Sequence, residues 1–368
     1  MASKARQLAQ SASAPDGRKN IVINGAMQVR QYGTSVTGIG ASDGFFTVDR
    51  FKMLFNNTAG RLTMEQVADG PSGFANCIKL SCTTADTSIA SDEFGVIEHR
   101  IEGQDLQRFM KGTSDAKEYA FSFYVKGNAS ATYVIELFDN DNNRQVSKQF
   151  SVTTSWSRVE LTFPADTTGA FGDDTNASLI IFFWLHAGSD RTSGTLSETW
   201  TSVTNANRAV GINSFFSSTD NTFFVTGVQL EVGSVATEFE HQKYCDVYQD
   251  CQRYYYKSGD NANEWFPGST TNAAIGPYYA LAANDLEDRA YPALQWPVQM
   301  RAAPSITFYP GRTDVTNTAD RITQYNGATL TTFSTSPTPY SNGLSYHFAG
   351  TSLDAPFYTY HIVADAEL

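Results

Sequence analysis

Arg158-Val-Glu-Leu-Thr-Phe163 is followed sixteen residues later by Leu179-Ile-Ile-Phe-Phe-Trp-Leu185, and these two stretches indicate the fold most clearly. Apolar and polar residues alternate in the first stretch, so its apolar side chains share one face of a strand. The second stretch has no polar face, which predicts a strand buried in the centre of a sheet. Similar short runs, the earliest being Ile21-Val-Ile23, continue to about residue 240 between turn residues. This spacing predicts a sandwich of two antiparallel sheets.

Changes of pattern divide the chain into three parts. Residues 3–12 predict a short amphipathic helix, and Pro15 and Gly17 then predict a linker, so residues 1–20 form an N-terminal arm. Residues 21–243 form the sandwich. Residues 244–368 form a smaller C-terminal β domain that begins with a short helix near 244–254. Its candidate strands are Tyr254–Lys257, Tyr278–Leu281, Ser305–Tyr309 and Phe357–Val363.

Composition and charge exclude several classes of protein. The chain has 368 residues, of which 13% are aromatic and 17% charged, which is unlike a disordered protein. Residues 1–20 carry a charge of +3 and the rest carries −15, which adds to −12 overall. An acidic body argues against nucleic acid as a partner. The longest apolar run has seven residues and the N-terminus has no apolar core, so neither a membrane insertion nor a secretory signal is expected.

Four cysteines are present, at positions 77, 82, 245 and 251, and no C-x-x-C motif occurs. Strand alternation places Cys77 and Cys82 on opposite faces, which argues against a bridge between them. All four are expected to be buried, reduced thiols in a protein assembled in a reducing cytoplasm.

Motifs for catalysis and for metal binding are missing. No phosphate-binding glycine loop, H-E-x-x-H or G-x-S-x-G occurs, and no two of the five histidines are spaced as a metal pair. Asp139-x-Asp141-x-Asn143 begins like a calcium loop, but Arg144 and Phe150 occupy the positions of its glycine and glutamate. A hairpin turn is favoured there over another kind of calcium site. The sequence therefore predicts no enzyme, no catalytic residue, no metal site and no cofactor.

Aromatic residues in polar stretches are the remaining chemical signal. Trp200, Trp265, Phe266 and Tyr278 are candidate glycan-binding residues, because sugar rings stack their C–H faces on flat aromatic rings. The alternative is that these rings anchor their loops to the core or fill an interface between subunits.

Long, ordered segments carry a resemblance. They are Arg18–Arg30 with Gly33–Ser35, Thr47-Val-Asp-Arg-Phe51, Phe121–Lys126, Ser155–Val159, Phe223–Gly233, Ala236–His241, Cys251–Tyr255, Met300–Pro304 and Ala364–Leu368. Together they resemble segments of bacteriophage tail-fibre and receptor-binding virion proteins. Phe51 stands where a tryptophan is frequent in that family, and Gln242-Lys243 replaces a common Arg-Pro.

The resemblance implies a jelly-roll sandwich like that of carbohydrate-binding modules, and it brings no catalytic motif. It also implies a homotrimer located in the virion tail and assembled in the host cytoplasm. The N-terminal arm, with Lys4, Arg6, Gln7 and Leu8, is expected to dock onto other virion structural proteins. A host cell-surface polysaccharide is the expected ligand.

Three functions remain open at this stage. The first is a tail fibre that binds a host glycan without breaking a bond. The second is a purely structural head, neck or tail component of the virion. The third is a depolymerase that cleaves the glycan.

Overall fold

The computed structural model describes residues 18–258, 278–281, 289–290, 293–310, 321–324, 330–332, 334–335, 338–345, 348–349 and 357–368. The regular structure in these ranges is almost entirely antiparallel β-sheet, which confirms the predicted all-β sandwich. The predicted N-terminal helix, with Lys4, Arg6, Gln7 and Leu8, lies outside the described residues. The same is true of Trp265 and Phe266.

Sheet A of the sandwich has six strands in the order β1-β4-β5-β13-β7-β10. The strands are β1 (Ser35–Ile39), β4 (Arg61–Val67), β5 (Cys77–Thr84), β7 (Tyr119–Gly127), β10 (Ser157–Phe163) and β13 (Thr222–Val232). Strand β10 contains the alternating stretch, and its register with β7 is regular from Ser157 to Phe163.

Sheet B has seven strands in the order β12-β9-β8-β11-β6-β3-β2. The strands are β2 (Gly44–Phe45), β3 (Lys52–Asn56), β6 (Phe94–Glu102), β8 (Ala131–Asp139), β9 (Arg144–Val152), β11 (Ala177–Ala187) and β12 (Thr201–Ser202). The wholly apolar stretch lies in β11, between β8 and β6, as predicted for a central strand.

The core of the sandwich lies between the two sheets because apolar side chains of both sheets form one cluster there. Leu179, Ile181 and Phe183 of β11 face this core and are fully buried. Phe123 of sheet A contacts Phe183 with ring centroids 5.2 Å apart. Burial of many such rings is the main stabilising term for the sandwich.

The predicted strand at Ile21–Ile23 is wrong, because these residues lie in a segment of turns. Asn24 has a left-handed backbone, with φ 61°. Its Oδ1 accepts hydrogen bonds from the N–H groups of Gln28 and Val29. An asparagine side chain that bonds to its own downstream backbone replaces a strand by a turn.

Helices are short and few in the described residues. The α-helices are α1 (Ser189–Thr192) and α2 (Tyr244–Gln252), and the 3-10 helices are η1 (Gly103–Asp105), η2 (Gln107–Phe109), η3 (Asn205–Asn207) and η4 (Phe215–Ser217). Helix α2 confirms the helix predicted near residues 244–254. Among the described residues, no helix is both long and apolar enough to cross a bilayer.

The described C-terminal strands gather around β25 (Phe357–Asp365), which pairs with β14 (Tyr255–Lys257), β15 (Tyr278–Leu281), β18 (Ser305–Pro310) and β19 (Arg321–Gln324). The remaining strands are β16 (Arg289–Ala290), β17 (Ala293–Gln295), β20 (Leu330–Thr332), β21 (Ser334–Thr335), β22 (Thr338–Tyr340), β23 (Gly343–Ser345) and β24 (Phe348–Ala349). Strand character at Tyr278–Leu281, Ser305–Tyr309 and Phe357–Val363 was predicted and is confirmed.

A buried polar junction joins the sandwich to the C-terminal strands. Arg50 forms an ion pair with Glu367, and their side chains are only 1% and 6% exposed. The Arg50 guanidinium carbon also lies 3.5 Å from the centre of the Tyr254 ring. A second pair follows, in which Arg253 contacts both oxygens of Glu102 at 2.8 and 2.7 Å.

Four of the segments that carry the tail-fibre resemblance meet at this junction. Arg50 comes from Thr47–Phe51, Arg253 and Tyr254 come from Cys251–Tyr255, and Glu367 comes from Ala364–Leu368. The segment Met300–Pro304 supplies Arg301, whose Nε donates to the carbonyl of Ala366. These motif residues therefore hold parts of the chain together.

Asp49, next to Arg50, is buried at the same junction. Its two oxygens accept hydrogen bonds from the N–H and the Nε2 of Gln31. Burial raises the pKa of Asp49 to about 7, although these hydrogen bonds oppose the rise. The carboxyl group therefore titrates near neutral pH.

The cysteines are all free, and the prediction of four buried thiols holds for three of them. Cys77, Cys82 and Cys251 are buried. Cys245 is exposed, because it lies on the side of α2 opposite to Val247 and Cys251, which pack on the sandwich.

Candidate functional site

The outer face of sheet B carries a row of aromatic rings that is closed to ligands. Phe138, Phe182 and Trp184 have successive ring centroids 6.2 and 6.0 Å apart. The Arg208 guanidinium lies 5.1–5.3 Å from all three rings, held by bonds to Glu136. Phe182 and Trp184 are 7% and 2% exposed, so the segment that carries Arg208 covers them.

A cleft of about 120 Å³ opens at one end of the sandwich, where the β7–β8 turn meets the segment that leads into β13. Its polar groups are amides, hydroxyls and a phenol, and none of the described residues that line it is charged. They include Asn128, Ser130, Tyr133, Asn213, Ser217 and Asn221. We call this feature the end cleft. Neutral donors and acceptors of this kind suit a ligand rich in hydroxyl groups.

Two asparagines of the end cleft offer amide N–H donors because their oxygens are already bonded. Asn128 Oδ1 accepts from the N–H of Thr222 at 2.8 Å, and Asn213 Oδ1 accepts from the N–H of Thr132 at 2.7 Å. These bonds define the orientation of each amide. Within the described chain, neither Nδ2 group makes a hydrogen bond, so the donors are set before a ligand arrives.

Tyr133 forms the inner wall of the end cleft. It is 4% exposed, and its ring packs edge-on against Phe223 at 5.6 Å. Burial raises the pKa of its phenol above the ordinary value, so the O–H keeps its proton and remains a donor.

A pair of half-buried rings lies beside the end cleft on the outer face of sheet A. The ring centroids of Trp156 and Phe224 are 6.2 Å apart at 74°, and we call these residues the ring pair. Lys126 Nζ lies 5.2 and 4.6 Å from the two centroids. Phe224 follows Thr222 by two residues, or about 7 Å of strand. The ring pair and the end cleft are therefore neighbouring surfaces.

Trp200 is the one predicted glycan-binding residue whose side chain is described, and it does not lie at the end cleft. Its Nε1 donates to the carbonyl of Pro164 at 2.8 Å. Its ring lies 5.7 Å from that of Tyr119 and packs against the main core. These are the contacts expected of a ring that anchors its loop. Tyr278 lies in β15, and its side chain is outside the described part of the chain.

The acidic turn that begins like a calcium loop is a hairpin between β8 and β9, as predicted. Four oxygens instead surround the ammonium of Lys111, which is fully buried. They belong to Asp139 at 2.6 Å, Thr168 at 2.7 Å, Gly169 at 2.7 Å and Asp166 at 3.1 Å. The ammonium group of Lys111 therefore already pairs with the carboxylate of Asp139.

Sequence reasoning missed the residues of the end cleft. Asn128 and Ser130 lie in a turn of small polar residues, and Asn213 and Asn221 bracket a stretch rich in serine. Such stretches are read as loops, and only the fold reveals that two loops meet. Trp156 lies in Ser155-Trp-Ser-Arg-Val159, and a tryptophan among serines and threonines was the usable signal.

No protein-family model matches the chain, and no curated protein matches it. Solved structures do resemble it. TmCBM61 in complex with β-1,4-galactotriose is 8% identical, with a TM-score of 0.31 over 58% of this chain and 99% of that one. A family 11 carbohydrate-binding module from Clostridium thermocellum, in complex with a β-1,3-1,4-mixed-linked tetrasaccharide, is 12% identical, with a TM-score of 0.29 over 56% and 99%.

The enzymatically active domain of bacteriophage CBA120 tailspike protein 4 is also 12% identical, with a TM-score of 0.29. That match covers 58% of this chain and 21% of the other. Likenesses at these identities and scores carry no argument about function.

Proposed function

We propose that this chain is a bacteriophage tail-fibre protein that binds a host-surface glycan without cleaving it. The observation that carries glycan binding is the end cleft, with its neutral amides and hydroxyls beside the ring pair. Amide donors match sugar hydroxyls, and aromatic faces match sugar C–H surfaces. The virion part of the proposal is supported by the segments that resemble tail-fibre proteins.

The absence of a carboxylate from the described lining of the end cleft supports binding without catalysis. Most glycosidases place two Asp or Glu side chains on either side of the bond that breaks. The polar lining here is built from asparagine, serine, threonine and tyrosine. Incubation of the protein with its bound glycan should therefore release no new reducing ends, and their release would favour a depolymerase.

Attachment to the particle is assigned to residues 1–20. Their charge of +3 against −15 for the rest suits docking on an acidic assembly. A protein that lacks residues 2–17 should fold but be missing from assembled particles, and its recovery there would refute the docking role. The proposed homotrimer is tested by the mass of the full-length protein in light scattering.

The central experiment measures binding of fluorescently labelled full-length protein to host cells and to cells of a non-host strain. Saturable binding to the host alone, abolished by purified host surface polysaccharide, is the expected result. No binding by folded protein of defined oligomeric state would refute the proposal and favour a structural component of the virion.

A further inference from the structure

Three side chains from distant parts of the sequence converge in the sandwich, near the end cleft. Asp86 follows β5, Glu93 precedes β6, and His186 lies at the end of β11. They are 5%, 6% and 0% exposed. One ligand atom of each lies within 4.8 Å of the others.

This cluster lacks a positive charge to balance its carboxylates. Among the described residues, no lysine or arginine forms an ion pair with Asp86 or Glu93. Buried carboxylates without a cation are strongly unfavourable, so a cation is expected to join them.

Two donors from the segment that precedes β4 hold the Asp86 side chain in place. The Thr58 hydroxyl donates to Asp86 Oδ2 at 3.0 Å, and the Ala59 N–H donates to the same oxygen at 2.8 Å. The side chain of Glu93 also lies within hydrogen-bonding reach of Asp86.

The distances suit a transition-metal ion better than a direct hydrogen bond. His186 Nε2 and Glu93 Oε2 are 3.4 Å apart, which is long for a hydrogen bond. Metal bonds of about 2.0–2.1 Å at tetrahedral angles place two ligand atoms about 3.3–3.4 Å apart. An imidazole nitrogen with carboxylate oxygens is a ligand set for Zn²⁺, whereas Ca²⁺ prefers oxygen alone.

The second ring nitrogen of His186 has the partner that a metal-binding histidine needs. Nδ1 lies 2.8 Å from the hydroxyl oxygen of Ser214. That oxygen also accepts from the N–H of Phe216. A proton on Nδ1 that is donated to Ser214 leaves the lone pair of Nε2 facing Glu93.

We propose that Asp86, Glu93 and His186 bind one divalent transition-metal ion, with Zn²⁺ preferred over Ca²⁺ and Mg²⁺. The sequence predicted no metal site because the three ligands have no common spacing. The ion supplies the missing positive charge. It also fixes Ser214, which lines the end cleft and bonds to His186.

Cobalt titration of the full-length protein, stripped of metal by a chelator and dialysed, tests the site. We expect one equivalent of Co²⁺ to give the visible absorption of a four-coordinate ion, and Zn²⁺ to displace it. His186→Gln and Glu93→Gln should each weaken binding about 10-fold or more. His241→Gln, which changes an exposed histidine outside the cluster, should bind like the wild type.

Thermal melts separate the site from a loss of folding. Zn²⁺ should raise the melting temperature of the wild type and of His241→Gln, but not that of Glu93→Gln, because an ion that binds only the folded state stabilises it. If the folded, metal-free wild type takes up no stoichiometric Co²⁺ or Zn²⁺, the site does not exist. Binding that survives both Glu93→Gln and His186→Gln would place the ion elsewhere and equally overturn the proposal.

Discussion

His186 Nδ1 and Ser214 Oγ lie 2.8 Å apart, and this bond connects the proposed metal site to the end cleft. Ser214 lines the cleft, whereas His186 is fully buried behind it. The two proposals therefore share one hydrogen bond but rest on separate groups of atoms. Either can fail without the other.

Ser214→Ala should weaken metal binding by about 10-fold, because a metal-bound histidine depends on the acceptor of its other N–H. Ser217→Ala is the matched control, since Ser217 lines the same cleft and does not contact His186. Co²⁺ titration of the two folded variants is the measurement. Equal affinities would show that the Ser214 bond does not orient the imidazole.

Asn128→Asp should lower glycan affinity by about 10-fold. The substitution keeps the oxygen that accepts from Thr222 but removes the amide donor, and the loss of one polar contact costs about 1 kcal/mol or more. Asn205→Asp, at an exposed position in η3, adds the same charge away from the cleft. Calorimetric titration with a host oligosaccharide compares them, and a parallel loss in both would indicate a general charge effect.

Two tryptophan substitutions separate binding from stability. Trp200→Ala should destabilise the fold by about 3 kcal/mol, because a ring packed on the core and bonded to Pro164 is removed. Trp156→Ala should cause a smaller loss of stability and a weaker affinity for glycan. Melting temperatures and glycan titrations of both variants distinguish the structural role from the binding role. Weaker binding by a stable Trp200→Ala protein would restore Trp200 as a glycan contact.

Lys111→Ala should be strongly destabilising, by about 3–5 kcal/mol, because Asp139 and Asp166 lose their buried cation. The variant leaves an empty cage of four oxygens, which is the kind of ligand that Ca²⁺ prefers. Added Ca²⁺ should therefore raise the melting temperature of the variant and leave that of the wild type unchanged. A variant as stable as the wild type without Ca²⁺ would contradict this account of the cage.

Asp49 should make stability fall as pH rises toward neutrality. Its folded pKa of about 7 lies above the ordinary value of 3.8, so its contribution is complete below pH 3.8 and is lost as pH rises through 7. The slope from this group is at most about 1.4 kcal/mol per pH unit. An asparagine side chain cannot titrate, so Asp49→Asn should flatten the unfolding free energy measured between pH 5 and 8. An unchanged slope would assign the titration to another group.

The fold was largely predictable because hydrophobic alternation is a local signal. Arg158–Phe163 and Leu179–Leu185 each contain enough of the pattern to fix a strand and its place in a sheet. Ile21–Ile23 has the same apolar character, but the side chain of Asn24 bonds to the backbone and forms turns instead. Hydrophobic alternation alone does not account for this competition between side-chain and strand hydrogen bonds.

The candidate sites were not predictable, because they depend on which loops meet. Asn128 and Asn213 are 85 residues apart in the sequence, and Glu93 and His186 are 93 apart. Neither separation corresponds to a helix or strand period or to a known sequence motif. Loop aromatics such as Trp200 gave the stronger local signal, although the structure places this ring against the core.

The pairing of Arg50 with Glu367 limits when this part of the molecule can form during synthesis. Arg50 leaves the ribosome 317 residues before its carboxylate partner. At about 5–20 residues per second, that interval lasts roughly 16–63 s. During it the Arg50 guanidinium lacks its carboxylate partner, so this junction cannot form. Chaperones and proteases therefore encounter the chain before this junction is complete.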